Sequence, residues 1–401
     1  MRIGYFTNLY PRATDTFIQR EVAGLRARGF DIRTFSVRRP GEEHEVAREV
    51  VIEKEKTHYL LPVGVTRLIL SNFAAFVSRP GRYLGGLVLA LRTRRPGLRG
   101  LALQFAYFQE AILLSVAVRR QRITHLHNHL GDNSGTVTLL ASRLTGIGYS
   151  ITIHGPHIFF DPTHWALREK LRYSQFVICI SYYCRSQMML FTDPADWERL
   201  RIVRCGVDPE RFRYHEVRQQ VKNLLYAGRL AVEKGLGFLF ESLRDLSARG
   251  YELELTLLGD GNDREHLQEL ARRLGIGERV VFAGYASQEQ LRESLQRSDL
   301  FILPSFAEGV PVSLMEAMAC GVPVLATAVG GVAELVEPEH TGLLVPPADS
   351  EALSNAIARY CSDVELRQRV SRSGRQAVVA RFNLDSEVEK LAQLFLTGAG
   401  A

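Results

Sequence analysis

Several protein classes are excluded by what this chain has little of. Its 401 residues include five cysteines, Cys179, Cys184, Cys205, Cys320 and Cys361, with no C-x-x-C pair among them. An odd, unpatterned set argues against a disulfide scaffold and suits a reducing compartment, so a cytoplasmic location is expected. No apolar run approaches the ~20 residues needed to span a bilayer. The opening MRIGYFTNLYP has no long apolar stretch and reads as a first strand, not a signal peptide. Internal repeats and low-complexity tracts are absent. So is acid over a long stretch: no Asp or Glu lies between Glu55 and Glu110.

That stretch holds eight basic residues, Lys56, Arg67, Arg79, Arg82, Arg92, Arg94, Arg95 and Arg99. Apolar runs interleave with them at 68–78, 83–91 and 100–109. Basic and apolar together predict a surface that lies on anionic lipid, making the protein peripheral at the inner face of the cytoplasmic membrane. The bland alternative is a set of helices packed on a sheet with a basic rim. Residues 1–205 carry 29 Lys and Arg against 16 Asp and Glu, a net of +13, and the remainder nets −7, which gives the overall +6. No RNA- or DNA-binding motif accompanies the basic half, so nucleic acid is not an expected partner.

A chain of this length exceeds one core, and two domains are expected. Short apolar strands alternate with amphipathic helices, the pattern of doubly wound parallel sheets. The boundary is expected near VRCGVDPERF (203–212), after FVICIS (176–181) as the last strand of the first domain. The segment 381–395 has apolar spacing for a helix.

The densest functional signal is SFAEGVPVSLMEAMACGVPV (305–324). Pro311 stands where a helix starts and Gly321 where it stops. Glu308 then sits in the loop before the helix and Glu316 inside it. A helix start offers unpaired N–H groups and the positive end of a macrodipole, a site suited to phosphate. A carboxylate before it and another within it suit a ligand with both phosphates and hydroxyls, such as a sugar nucleotide. A core helix with two solvated glutamates is the competing reading. Upstream, NLLYAGRL (223–230) reads as a buried strand followed by Arg229 and Lys234. Two cations after a strand lie where open α/β sheets bind ligands.

With these motifs the chain resembles the retaining family 4 glycosyltransferases of GT-B fold. GRLAVEKG (228–235), LTLLGDGNDREHLQEL (255–270), VVFAGYASQEQL (280–291), the Glu-x7-Glu stretch at 298–324 and GLLVPPADSEAL (342–353) occur in the family's order. YPRATDTFIQREVAGLRARGFDI (10–32), YLLP (59–62) and residues 125–160 resemble a sub-branch used in bacterial exopolysaccharide and colanic-acid-like synthesis.

The resemblance implies two Rossmann-like domains facing a cleft. These are an acceptor domain over 1–205 and a nucleotide-sugar domain over 206–380, followed by a helix over 381–401 that returns to the first. It implies a retaining hexosyltransferase that takes a nucleotide-diphosphate sugar as donor, not as cofactor, and a saccharide or lipid-linked saccharide as acceptor. Arg229, Lys234 and the backbone of Val312, Ser313 and Leu314 would hold the diphosphate. Glu308 would bind the donor sugar and Glu316 the ribose. Gly259, Gly284 and Tyr285 would lie at the base, and Tyr10, Thr14 and Thr16 on the acceptor side. His154, which follows the strand SITI, resembles the family's active-site histidine. Two departures are present. The usual Gly-rich first loop is replaced by TNLYPRATDTF (7–17), and a second glycine after the first Glu is replaced by Pro311, which has no N–H.

The absence of any D-x-D pair implies that cations of the chain, not a metal, neutralise the diphosphate. A second hypothesis is a metal-dependent hydrolase. His125, His127 and His129 alternate along one strand and so share a face at a chelating spacing. That reading leaves the nucleotide-sugar features of the second half unexplained. A third class is a sugar-nucleotide epimerase or an inactive binding protein of GT-B architecture. The intact Arg229, Lys234, Glu308 and Glu316 set argues against an inactive one.

Overall fold

A computed structural model of the protein describes residues 1–13, 15–45 and 47–398. The chain divides into two compact units. The first runs from Met1 to Arg204 and takes in the C-terminal residues from Val388; the second is Cys205–Glu387.

The first unit is built on seven strands: β1 (Arg2–Leu9), β2 (Asp31–Arg38), β3 (His58–Tyr59), β4 (His125–His129), β5 (Gly148–Ile153), β6 (Phe176–Cys179) and β7 (Leu200–Ile202). They lie in the order β3-β2-β1-β4-β5-β6-β7, and every pairing is parallel. Residues 3–7 of β1 are all buried, as expected of a parallel strand covered on both faces. The expected last strand, FVICIS, is therefore not the last. β7 follows it as an edge strand of three residues, with Leu200 buried and Arg201 exposed. An apolar-run criterion cannot detect a strand so short and polar.

β4 reads HLHNH and is buried throughout. Five residues with four polar side chains can be buried only if those side chains find partners. They do. His125 Nε2 lies 2.7 Å and His127 Nδ1 2.8 Å from Ser150 Oγ, and His127 Nε2 lies 3.0 Å from Thr152 Oγ1. The Asn128 amide donates to the Phe6 carbonyl at 2.8 Å and to Ser134 Oγ at 2.9 Å.

The second unit holds β8 (Asn223–Ala227), β9 (Glu254–Leu258), β10 (Val280–Gly284), β11 (Leu300–Leu303), β12 (Val324–Thr327) and β13 (Leu343–Val345). Their order is β10-β9-β8-β11-β12-β13, again parallel throughout. In both sheets the chain builds outward from one central strand, then crosses to its other side. The order reverses between β1 and β4 and between β8 and β11. Ligands of open α/β sheets bind outside the carboxyl ends of the strands at such a reversal.

Three helices carry the acid-free stretch. Val65–Ser78 buries only Ser71 fully, and Pro80–Arg92 buries Gly86, Leu89 and Ala90. Gly97–Arg120 runs 24 residues, longer than its apolar run alone suggests. By length and composition it could cross a membrane, but half of its most apolar window is buried within the protein. Its C-terminal half, from Phe108 to Val118, belongs to the core of the first unit.

The helix Leu384–Gly398 supplies the remainder of that unit. Val388 packs against Gly24, where an added Cβ would meet it at 3.1 Å. Arg28 pairs with Glu389 at 3.0 Å. Phe395 is buried with its ring 5.3–6.5 Å from those of Tyr5, His125, His127 and Phe176.

Candidate active site

The loops after β8 and β11 meet at the reversal point of the second sheet. After Ala227 the chain passes Gly228 and Arg229, makes a 3-10 turn over Val232–Lys234, and enters the helix Leu236–Ala248 through a left-handed Gly235, φ +63°. A Cβ at Gly235 would lie 2.2 Å from the Pro304 carbonyl oxygen. Only glycine lets the two loops approach this closely. The Phe306 N–H donates to the Glu233 carbonyl at 2.8 Å across the contact.

This closure brings two of the expected site residues together. Lys234 Nζ donates to Glu308 Oε1 at 2.6 Å, and the Ser305 hydroxyl donates to the same oxygen at 2.7 Å. The two charged side chains are 17% and 10% exposed. From the other side, the Glu308 carbonyl oxygen would lie 1.9 Å from a Cβ at Gly330, φ +53°, and the Gly331 N–H donates to the Gly309 carbonyl at 2.9 Å. Three loops therefore fix Glu308. Arg229 is more exposed and pairs with Glu233. Ser305 and Glu233 were not singled out from the sequence. Their proximity to motif residues in sequence was the available signal.

The helix Val312–Cys320 follows Pro311 and ends at left-handed Gly321, φ +81°. Its N-cap residue, Pro311, makes no side-chain capping hydrogen bond. Val312 and Ser313 are half-buried, Leu314 is buried, and Glu316 is buried one turn further on. The glycines assigned to the base have a packing role as well. The Gly259 N–H donates to the Gly284 carbonyl at 2.7 Å, and a Cβ at Gly259, φ +135°, would lie 1.9 Å from the Gly228 carbonyl oxygen. Gly228, Gly259 and Gly284 thus tie the ends of β8, β9 and β10 together, and half-buried Tyr285 follows directly.

At the reversal point of the first sheet the expectations fare unevenly. Tyr10 is buried at 2% exposure, and its hydroxyl makes no hydrogen bond among the described residues. Thr16 is the half-buried first residue of the helix Thr16–Ala27. Thr14 lies outside the described residues. His154 follows β5, half-buried, with Nε2 2.8 Å from His129 Nδ1, and the Phe17 ring centroid lies 4.5 Å from its own. Burial, then the charges of His129 and His157, hold its pKa well below the usual histidine range, so it is neutral.

The chelating trio suggested by the strand pattern is regrouped. Among the described residues, Glu21, His127 and His129 each place one ligand atom within 4.8 Å of the others. His125 is not part of this group. Its ring is bonded to Ser150, and burial lowers its pKa to about 4. A metal could be held by Glu21, His127 and His129, but hydrogen bonds already account for each ligand atom. Glu21 Oε1 lies 2.7 Å from the Tyr5 hydroxyl and 3.0 Å from His129 Nε2. Glu21 was missed in sequence. It stands four residues after Phe17 on one helix, so both side chains reach the histidines from one face.

Two parallel sheets of this strand order, each with its reversal point, are the architecture of the GT-B fold. Residues 208–377, within the second unit, match the family described as glycosyl transferases group 1, so the chain carries a glycosyltransferase group 1 domain. Over 98% of its length it is 27% identical to the amylovoran biosynthesis glycosyltransferase AmsK of Erwinia amylovora, covering 99% of that protein. It is 25% identical to the putative colanic acid biosynthesis glycosyltransferase WcaL of Salmonella typhimurium, covering 99% of this chain and all of the relative. Among solved structures, Anabaena HepE in complex with UDP-glucose superposes with a TM-score of 0.76 at 18% identity over 99% of this chain and 100% of that one. Sucrose-phosphate synthase of Thermosynechococcus elongatus does so at 0.76 and 20% identity, over 99% and 98% of the two chains.

Proposed function

We propose that the chain transfers a hexosyl group, with retention and without a metal, from a nucleoside-diphosphate sugar to a saccharide or lipid-linked saccharide in exopolysaccharide synthesis. The observation that carries this is the Lys234–Glu308 pair, 2.6 Å apart, at the reversal point of the second sheet beside the start of the helix Val312–Cys320. Arg229, Lys234 and the N–H groups of Val312, Ser313 and Leu314 hold the diphosphate. They stabilise the charge that develops as the glycosidic bond breaks. Glu308, with Oε1 held by Lys234 and Ser305, offers Oε2 to the sugar hydroxyls. Glu316 takes the ribose, and the turn of Gly259, Gly284 and Tyr285 flanks the base. The acceptor belongs to the first unit, near Thr16 and His154. In the front-face path the bond from the anomeric carbon to the phosphate oxygen breaks as that to the acceptor oxygen forms. The departing phosphate takes the acceptor's proton.

HepE was crystallised with UDP-glucose, and UDP-sugars are the first donors to test. A thermal-shift screen across UDP-, GDP-, ADP- and dTDP-sugars should single out one base. A donor at 100 times its Kd stabilises the fold by about 2.7 kcal/mol. No shift with any of the four would overturn the donor assignment.

Two further outcomes are expected. Glu316→Gln should weaken nucleotide binding by about 2 kcal/mol, roughly 30-fold, the scale of a hydrogen bond to a charged group. Glu308→Gln should instead lower kcat, because Glu308 meets the reacting sugar. Titration calorimetry with the nucleotide and steady-state kinetics separate the two, and unchanged values in both variants would make the helix structural. Transfer in excess EDTA should proceed at the untreated rate, since cations of the chain neutralise the diphosphate. Loss of activity restored by a divalent ion would instead favour the Glu21, His127 and His129 group.

The second proposed partner is the anionic inner face of the cytoplasmic membrane. The helices Val65–Ser78, Pro80–Arg92 and Gly97–Arg120 expose Val65, Ile69, Phe73, Val77, Leu98 and Phe105, each 60% or more. Arg67, Arg92, Arg94 and Arg99 are exposed among them. Apolar patches of this kind, framed by one sign of charge, mark interaction sites. A lipid-linked acceptor would be presented at that surface.

A further inference from the structure

The sugar-transfer reading uses His154 but leaves the polar chain behind it without a role. That chain is continuous from Tyr5 to His154. The Tyr5 hydroxyl donates to Glu21 Oε1 at 2.7 Å. His129 Nε2 lies 3.0 Å from the same oxygen, and His129 Nδ1 lies 2.8 Å from His154 Nε2. The two imidazoles are stacked, with centroids 5.0 Å apart. His129 is fully buried, whereas His154 is partly exposed at the end of β5. The groups facing this chain are Tyr5, Glu21, His127, His129, His154 and His157.

The hydrogen positions follow from donor chemistry. A carboxylate only accepts. Glu21 therefore forces the Nε2 hydrogen onto His129. With a hydrogen on Nε2 and none on Nδ1, His129 has an acceptor at Nδ1. His154 must then donate from its own Nε2, and its Nδ1 becomes the acceptor nitrogen. Burial already keeps His154 neutral, and its pKa is held down further by His129 and His157. One end of the chain thus decides the tautomer at the other, through two rings.

We infer that Glu21 and His129 are positioning residues for the transfer reaction. They lock His154 in the Nε2–H tautomer, so that Nδ1 accepts a hydrogen bond from a substrate hydroxyl. Phe17, whose ring lies 4.5 Å from that of His154, holds the imidazole plane. Phe17 and Glu21 come from the first two turns of the helix Thr16–Ala27. This helix therefore supplies both the apolar wall and the carboxylate anchor. The inference rests on His154 lying at the transfer site.

The primary test is independent of activity. The full chain, labelled with nitrogen-15 at histidine, is measured by two-bond proton–nitrogen correlation at neutral pH. His154 should show a protonated Nε2 and a pyridine-type Nδ1, and His129 the same pattern. An Nδ1–H tautomer at His154, or two tautomers in exchange, would overturn the inference even if transfer activity is never found. The kinetic arm uses Glu21→Leu together with Tyr5→Phe, which removes the hydroxyl and the carboxylate at once and leaves His129 Nε2 without its partner. This variant should lose kcat by about 10- to 100-fold, the range for partners that orient a functional imidazole, with the Kd for nucleotide unchanged. In a His154→Ala background the same pair should cause no additional loss. A further loss there, or full activity of His154→Ala itself, would show that the chain does not act through His154. Nucleotide binding that fails in the unsubstituted protein would instead condemn the sugar-transfer reading, and the nitrogen-15 result would stand apart from it.

Discussion

Lys234→Ala is expected to abolish donor binding and destabilise the second unit in the same variant. Lys234 and Glu308 are 2.6 Å apart, with side chains 17% and 10% exposed. Removing one partner of a nearly buried pair leaves a desolvated charge, at a cost of about 3–5 kcal/mol when burial is complete. The residual exposure here places the expected loss near the lower end, about 3 kcal/mol. Glu308 is also held by Ser305, by the contact with Gly330 and by its own loop, so the orphaned carboxylate cannot swing into water. Lys234→Met combined with Glu308→Gln should restore most of the stability but none of the donor binding. Arg229→Ala is the contrasting control. Its side chain is 62% exposed and its pair with Glu233 lies at the surface, where such pairs contribute about 0–1 kcal/mol. Donor affinity should fall with no measurable change in unfolding. Urea titration and nucleotide calorimetry on these variants decide the matter. A Lys234→Ala protein with normal stability and normal donor affinity would remove the pair from the site.

Replacing Arg67, Arg92, Arg94 and Arg99 together with alanine should release the protein from anionic vesicles. Each basic residue near such a surface is worth about 1 kcal/mol. Four of them approach a thousandfold in partitioning when all engage, at about 1.4 kcal/mol per tenfold. The apolar faces of the three helices supply the rest, and Phe73→Glu should weaken binding through that component. Salt should act on the first component alone, since the Debye length shortens to about 3 Å at 1 M. Co-sedimentation with anionic and neutral vesicles, at low and high salt, separates the two. Equal and negligible binding to both vesicle types would reduce these helices to a solvated rim.

Much of the second unit was legible in its sequence because each motif is local. Gly228 to Gly235 forms a single loop, and Pro311 to Gly321 brackets a single helix, so spacing along the chain maps directly onto spacing in space. The Lys234–Glu308 contact was not legible, although both residues were singled out. It depends on 74 residues of intervening sheet and on a glycine whose missing Cβ allows two loops to touch. In the first unit the pattern of β4 was visible as alternating histidines, but its meaning lay in the partner strand. Ser150 and Thr152 of β5 bond to those rings because the parallel register sets His127 opposite Ser150 and His129 opposite Thr152. Tyr10 illustrates the opposite failure. The resemblance puts it on the acceptor side without regard to burial, whereas Ser36 and Tyr59 bond its backbone and its ring is buried.

The packing of Phe395 sets an order of assembly. Its ring closes the face of the sheet formed by Tyr5, His125, His127 and Phe176, and it is synthesised only after the whole of the second unit. At about 5–20 residues per second, the first unit waits tens of seconds or less for the segment that covers its histidines. Until then the polar strand β4 has one side without its lid. The N-terminal half of the chain is thus made first but completed only after the second unit has been made. A fragment ending at Arg204 would be an incomplete domain, and a stop codon a few residues before Phe395 would harm the half of the protein most distant from it in sequence.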